Sequence, residues 1–275
     1  MRTLKLLTLI TYLILQSNFA HALHLAHGQD TMAADQMAPH VHKPINIFGF
    51  TETIVGSRIR STPLEKKFSI IDARLNLNAK KHTHNTTYSL VTDFLYDPIL
   101  NYNGINLSKG TGWLDLREAN VLFRPTSNAN IKIGRQILCW GISDLICIND
   151  LFPKDWNSFV IGRNIRYLSA PTNTIKLSLY NDLANVDIVY TPLFNHDRYI
   201  DGERIAYYRT LSGSIAGRND PVKVIKKNKW FNQDEVAVRV HRLFNEYETA
   251  LYILAALRNS VITSQLCWRS DLLKA

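Results

Sequence analysis

Over residues 71–79 the chain alternates strictly, and this limits its fold more than any other feature. Ile71, Ala73, Leu75, Leu77 and Ala79 take one parity, and Asp72, Arg74, Asn76 and Asn78 take the other. Successive strand side chains point to opposite faces, so this segment has an apolar wall and a wet wall. The same period recurs where Val236, Val238 and Val240 oppose Glu235, Ala237, Arg239 and His241. It recurs again where Ile175, Leu177 and Leu179 oppose Lys176, Ser178 and Tyr180. Nine strands are expected, at 45–55, 67–79, 86–96, 113–124, 130–139, 172–181, 185–191, 235–244 and 247–257, with no amphipathic helix and no internal repeat.

The connections are as informative as the strands. Those after the first, third, fifth and seventh strands are long. Those after the second, fourth, sixth and eighth are short, down to the two residues Asn245 and Glu246. Transmembrane β-barrels segregate short turns and long loops to opposite ends of strands of about 9–11 residues. A soluble sandwich shares the period of two but has no reason to sort its loops by side. The expected class is all-β: an antiparallel transmembrane β-barrel of the outer-membrane type, incomplete in this chain. A soluble secreted or periplasmic β-sandwich that binds a ligand is the alternative. The two predict opposite walls, since a sandwich packs its apolar faces inward and a barrel turns them out.

Composition narrows the field. In 275 residues the net charge is +9, 46% of residues are hydrophobic and only 20% are charged. Aromatic content excludes a disordered chain, and 12 Gly and 9 Pro exclude collagen. Beyond the first 20 residues no apolar run approaches the ~20 a membrane helix needs. Strands with one lipid-facing wall would account for the scarcity of charge. Tyr88, Phe94, Tyr96, Phe123, Tyr180, Tyr190 and Tyr247 lie near expected strand ends, where a membrane interface favours amphipathic rings.

The N-terminus reads as an export signal. Arg2 and Lys5 precede an apolar stretch over residues 6–15, and Ala20-His21-Ala22 supplies the small-x-small cleavage site. Residues 1–22 are expected to be removed, and the cell outer membrane is the expected destination. Residues 23–44 form a non-periodic leader holding His24, His27, His40, His42, Met32 and Met37; these donors suit a soft metal, but their spacing fixes no geometry. Cys139, Cys147 and Cys267 match no zinc pattern. Either a Cys139–Cys147 bridge or a buried Cys139 beside a loop Cys147 fits the spacing.

The densest motif is Gly134-Arg135-Gln136-Ile137-Leu138-Cys139-Trp140-Gly141. Ser143-Asp144, Asn149-Asp150 and Pro153-Lys154-Asp155-Trp156 follow, then Leu177-Ser178-Leu179-Tyr180 and Tyr190-Thr191-Pro192-Leu193-Phe194. Together with Leu116-Arg117-Glu118-Ala119 upstream, these resemble a family of poorly characterised Gram-negative outer-membrane barrels. That family is porin-like and distantly similar to alginate-export-type channels. The resemblance spans residues 113–257 and implies a channel or transporter, without naming its solute. An odd strand count departs from the even number of bacterial single-chain barrels. Residues 258–275 lack both alternation and a terminal aromatic, so a truncated or frame-shifted reading frame is expected, one not expected to function alone.

Candidate pore-lining residues are Arg74, Glu118, Lys132, Arg135, Gln136, Lys176 and Arg239 on the wet wall, with Asp144, Asp150 and Asp155 in the loop over residues 140–171. That loop also holds Lys154, Arg163 and Arg166, charges suited to a constriction folded into a pore. Its aspartates equally suit turn caps, and, less well, a calcium ion, for which the EF-hand spacing is missing. Strict alternation places Arg135 with Ile133 and Ile137 against lipid. A β-bulge at Gly134 is expected to turn it inward, toward Glu118. The rest of the wet wall (Asp72, Asn76, Asp93, Asn120, Asp187, His241) mixes polarity and sign, which predicts weak ion selectivity. Lys223, Lys226, Lys227 and Lys229 form a basic run suited to a solvated loop or to lipopolysaccharide phosphates. The expected partners are outer-membrane lipid, lipopolysaccharide and an unidentified small solute, with no nucleic acid. G-x-S-x-G, H-E-x-x-H, P-loop and Rossmann patterns are missing, so no enzyme, cofactor or metal is expected.

Overall fold

The computed structural model describes residues 44–59, 63–100, 104–140, 150–210, 212–217, 219–222, 230–231, 234–244 and 247–256. Residues 1–43, which hold the expected signal peptide and the His residues of the expected leader, lie outside them, as do Asp144, Cys147, the lysine run, Cys267 and residues 258–275.

The chain is mostly antiparallel β-sheet. In chain order the strands are β1 (Asn46–Ser57), β2 (Phe68–His82), β3 (Thr86–Tyr96), β4 (Leu114–Thr126), β5 (Ala129–Gln136), β6 (Thr172–Leu179), β7 (Asn185–Thr191), β8 (Tyr207–Arg209), β9 (Ser214–Ala216), β10 (Glu235–Phe244) and β11 (Tyr247–Ala256). Nine of them form one meander, β1-β2-β3-β4-β5-β6-β7-β10-β11, and β8 and β9 make a separate hairpin. All nine expected strands are present, and those at 86–96, 185–191 and 235–244 have the expected limits. Among the described residues β1 and β11 do not pair with one another, so the sheet is open. No helix among the described residues is long and apolar enough to cross a membrane.

Burial follows the polar parity. In β2, Asp72, Arg74 and Asn76 are buried, while Leu75 and Leu77 of the opposite parity are exposed. In β3, Asp93 is buried and Leu90 and Phe94 are exposed. In β6 and β7, Ser178 and Asp187 are buried, whereas Ile175 and Leu179 are exposed. A soluble sheet hides its apolar wall; this one hides its charges. Toward the long-connection end of β7, β10 and β11 the buried face turns apolar, where Val189 and Ala237 pack with Leu138, Trp140 and Phe152.

Two local departures from the ladder place charges. Between β3 and β4, Val91 faces Glu118 but Thr92 faces Leu116, so Arg117 is the extra residue of a bulge. That insertion puts Arg117 on the buried side beside Asp115 instead of outward. At Gly134 the expected bulge is absent: Gly134 faces Asn120 and Thr174, Arg135 faces Ala119 and Asn173, and the register does not shift. What Gly134 contributes is φ = +123°, with its α-carbon so close to β4 that a Cβ would lie 2.3 Å from the Ala119 carbonyl oxygen. Only glycine sits easily there. Arg135 is nonetheless buried, through this twist and not through an inserted residue.

Candidate functional site

The buried polar face is covered by two long connections, 150–171 and 192–206, which are bridged to each other as well as to the sheet. Lys154 bridges Ser169, and Asp155 bridges Arg198. The Asp155 amide donates to the Leu168 carbonyl (2.6 Å), Arg198 to Lys154 (2.7 Å) and Trp156 back to Arg198 (2.9 Å). Asp155 also caps a short helix, α1 (Trp156–Val160), its carboxylate accepting from the Ser158 amide at 2.8 Å. A one-turn 3₁₀ segment, Ile165–Tyr167, follows, capped by Asn164. Backbone hydrogen bonds thus tie the two connections into one small body.

Toward β2 and β4 that body meets the sheet through charge. Arg198, 3% exposed, grips Asp115 of β4 with both arms of its guanidinium (2.7 and 2.8 Å) and bonds Asp155 at 3.0 Å and the Leu107 carbonyl at 3.2 Å. The planar fork suits this bidentate grip better than an ammonium would. Its two carboxylates raise the Arg198 pKa against the opposing effect of burial, so it stays cationic at any accessible pH. Gly110 leaves room for it: at φ = +65°, a Cβ there would lie 2.1 Å from a guanidinium nitrogen.

Arg163 donates to Asp72 of β2 at 3.0 Å, and Asp72 also holds Arg74 (3.3 Å), which reaches Asp93 of β3 at 3.3 Å. Asn76 completes the group, donating to Asp93 at 2.5 Å. Tyr167 lies over this network, 3.8 Å from the Arg74 guanidinium and 4.9 Å from that of Arg117. Arg117 donates to the Ser169 carbonyl at 2.9 Å. Stacked guanidinium–ring contacts of this kind strengthen on desolvation.

Tyr167 also titrates. Burial is the largest cause of a raised phenol pKa and Asp93 adds to it, while Arg74 and Arg117 pull it down. A raised folded value means the docked state prefers neutral tyrosine, so its contribution is intact below the ordinary value of about 10 and is lost as pH rises from there through the folded value. Trypsin cleavage within residues 150–171 should therefore accelerate from pH 9 to 11. Tyr167→Phe, which keeps the ring but cannot ionise, should flatten that alkaline limb; an unchanged limb would assign it to another group.

The structure brings some expected site residues together and separates others. Arg74 and Arg135 lie in the buried network. Arg135 does not meet Glu118, however: it donates to the carbonyls of Leu116 (2.5 Å) and Leu107 (2.8 Å). Glu118 instead approaches Lys132 at 3.8 Å and accepts from Asn120 at 3.1 Å. Lys132 is also the nearer partner on geometric grounds, because Lys132, unlike Arg135, shares the parity of the buried face. Gln136 is fully buried and donates to the Thr174 hydroxyl at 2.7 Å. Lys176 pairs with Asp187 at 3.3 Å, and Arg239, the cross-strand neighbour of Asp187, lies 5.8 Å from the Tyr252 ring. Lys132, Lys176 and Glu118 are partly exposed and, with the buried Asp187, form a group nearer the short turns.

In the loop, Asp150 pairs with Lys154, and Asp155 both caps α1 and pairs with Arg198, so turn capping and charge pairing coexist. Cys139 is exposed, not buried, while its neighbours Leu138 and Trp140 are buried. The strand ends at Gln136, three residues earlier than expected, so the alternation no longer governs it.

Asp115, Arg117 and Arg198 are the residues that sequence reasoning missed. Asp115 and Arg117 share parity within Leu114-Asp115-Leu116-Arg117, a visible signal. Arg198 has no such signal, since its partners lie 83 and 43 residues away. A scan of the chain against protein-family models finds no match, and a search of curated proteins finds none either.

Proposed function

We propose that the chain is a porin-like outer-membrane β-barrel channel or transporter component for a small or oligomeric solute, with residues 150–171 and 192–206 forming its constriction. The reversed burial of the sheet carries this reading. Charged side chains occupy the covered face, and the bare face is Leu75, Leu77, Leu90, Val121, Ile133, Ile175, Leu179, Leu251 and Ile253. Water penalises such a face; hydrocarbon does not.

The exposed aromatics are sorted by height. Phe68, Phe94, Tyr96 and Trp113 lie toward the long connections, and Tyr88, Phe123 and Tyr180 toward the short turns. Tyr88 and Tyr96 are eight positions apart on one strand, ~27 Å at the usual rise. At a tilt of about 40° this becomes roughly 21 Å, close to the ~25 Å apolar band between the aromatic girdles of outer-membrane barrels. A soluble sandwich would need a second sheet over the same face.

Fractionation of expressing cells tests the proposal. The protein should enter the outer-membrane fraction and migrate differently on a denaturing gel with and without boiling. Recovery of a folded periplasmic protein without detergent would reject the channel and leave the soluble binding protein.

A further inference from the structure

The body formed by residues 150–171 and 192–206 is held differently on its two sides. Toward β7, β10 and β11 the contact is apolar: Phe152 packs edge-on against Trp140 with ring centroids 4.8 Å apart, in one cluster with Val189 and Ala237. Leu151, Leu254 and Tyr252 border it, and the Tyr252 hydroxyl donates to the Trp140 carbonyl at 3.3 Å. Toward β2 and β4 the joints are ionic or cation–π: Arg163 with Asp72, Arg198 with Asp115, and Tyr167 over Arg74 and Arg117.

Separating an apolar joint exposes hydrocarbon-like surface to water, with nothing to replace the lost contact. An ionic joint, once water enters, has water and ions as substitute partners. From this asymmetry we infer that the body is a hinged plug. It stays anchored on the Phe152 side and swings away from β2 and β4, opening a path along Asp72, Arg74, Asp93, Asp115 and Arg117. This rests on the channel reading above and adds to it the direction of opening and the residues that hold the closed state. Two discrete arrangements are expected and not a graded one, because Asp155 and Arg198 tie the two connections to each other as well as to the sheet.

Reversible cross-linking of the ionic side tests the plug. In a background with Cys139, Cys147 and Cys267 changed to serine, Asp72→Cys and Arg163→Cys are joined by a short bis-methanethiosulfonate reagent that dithiothreitol cleaves. Single channels are then recorded in planar phosphatidylcholine bilayers. Before linking, the channel should move between a low and a high conductance, with the high level populated more than in the parent. After linking, occupancy of the high level should fall at least tenfold, and dithiothreitol should restore it. The corresponding link between Phe152→Cys and Leu254→Cys, on the anchored side, should leave both levels.

An unchanged conductance distribution after the Asp72–Arg163 link overturns the hinged plug and leaves the channel standing. Loss of the high level with the Phe152–Leu254 link alone overturns the assigned hinge. If protein that is heat-modifiable on a gel, and hence folded, gives no conductance at all, the channel reading falls, and the plug with it.

Discussion

Replacing Arg198 with methionine is expected to destabilise the fold by about 3–5 kcal/mol, the usual cost of removing one member of a buried charge group. Asp115 and Asp155 would be left in a dry site with no cation bonded to both. Urea unfolding followed by tryptophan fluorescence would register the loss, because Trp156 lies in the same body and Trp140 packs against it. Arg198→Lys should recover only part, since one ammonium cannot grip Asp115 through two parallel bonds and still reach Asp155 and Leu107. Arg198→Met combined with Asp115→Asn and Asp155→Asn should be milder than Arg198→Met alone, because the uncompensated charges are gone. A loss below about 1 kcal/mol for Arg198→Met, the range of exposed pairs, would mean that water already reaches the group.

Ile133→Arg should act with opposite consequences in the two environments. Ile133 is 51% exposed on the apolar face of β5, between Val121 on β4 and Ile175 on β6. In a bilayer an arginine near the midplane costs roughly 2–4 kcal/mol. In water the same surface substitution is worth about ±0.5 kcal/mol and would improve solubility. Unfolding in phosphatidylcholine vesicles should therefore show a clear drop in urea midpoint. Leu179→Arg, on the same exposed face but at the turn end of β6, should cost less. Equal stability of Ile133→Arg and the parent, with better solubility, would place this face in water and end the membrane reading.

The strands were legible because their pattern is local. Whichever wall is covered, a period of two announces the strand, and Asp72, Arg74 and Asn76 mark one wall within five residues. Which wall is hidden was not settled by the same letters. That had to come from the sorting of long and short connections, a non-local signal. The site was legible only where it lies on strands. Arg74 and Gln136 stand on the wet wall by parity, whereas Arg135 needed Gly134's positive φ, and no local pattern specifies a backbone twist. Arg117 shares its parity with Asp115 but not with Asn120, because a bulge shifts parity in the middle of β4. The β8–β9 hairpin has three residues in each strand, too few for alternation to show. Arg163 and Arg198 belong to connections whose conformation is set by each other, so their roles emerge only once the two segments meet.

The odd number of strands in the open sheet also sets a rule of direction. Each neighbouring pair is antiparallel, so β1 and β11 both point from the short-turn end to the long-connection end. Joined edge to edge they would make the sheet's single parallel seam, with slanted hydrogen bonds unlike every other pair. The same holds between two copies placed the same way up. Any segment that satisfies both margins in the sheet's own pattern must descend from the long connections to the short turns. It must also turn polar residues toward Asp72 and Asp187 and apolar ones toward Leu75 and Ile253. The margins therefore act as a template that reads both the polarity and the side-chain alternation of whatever strand is added.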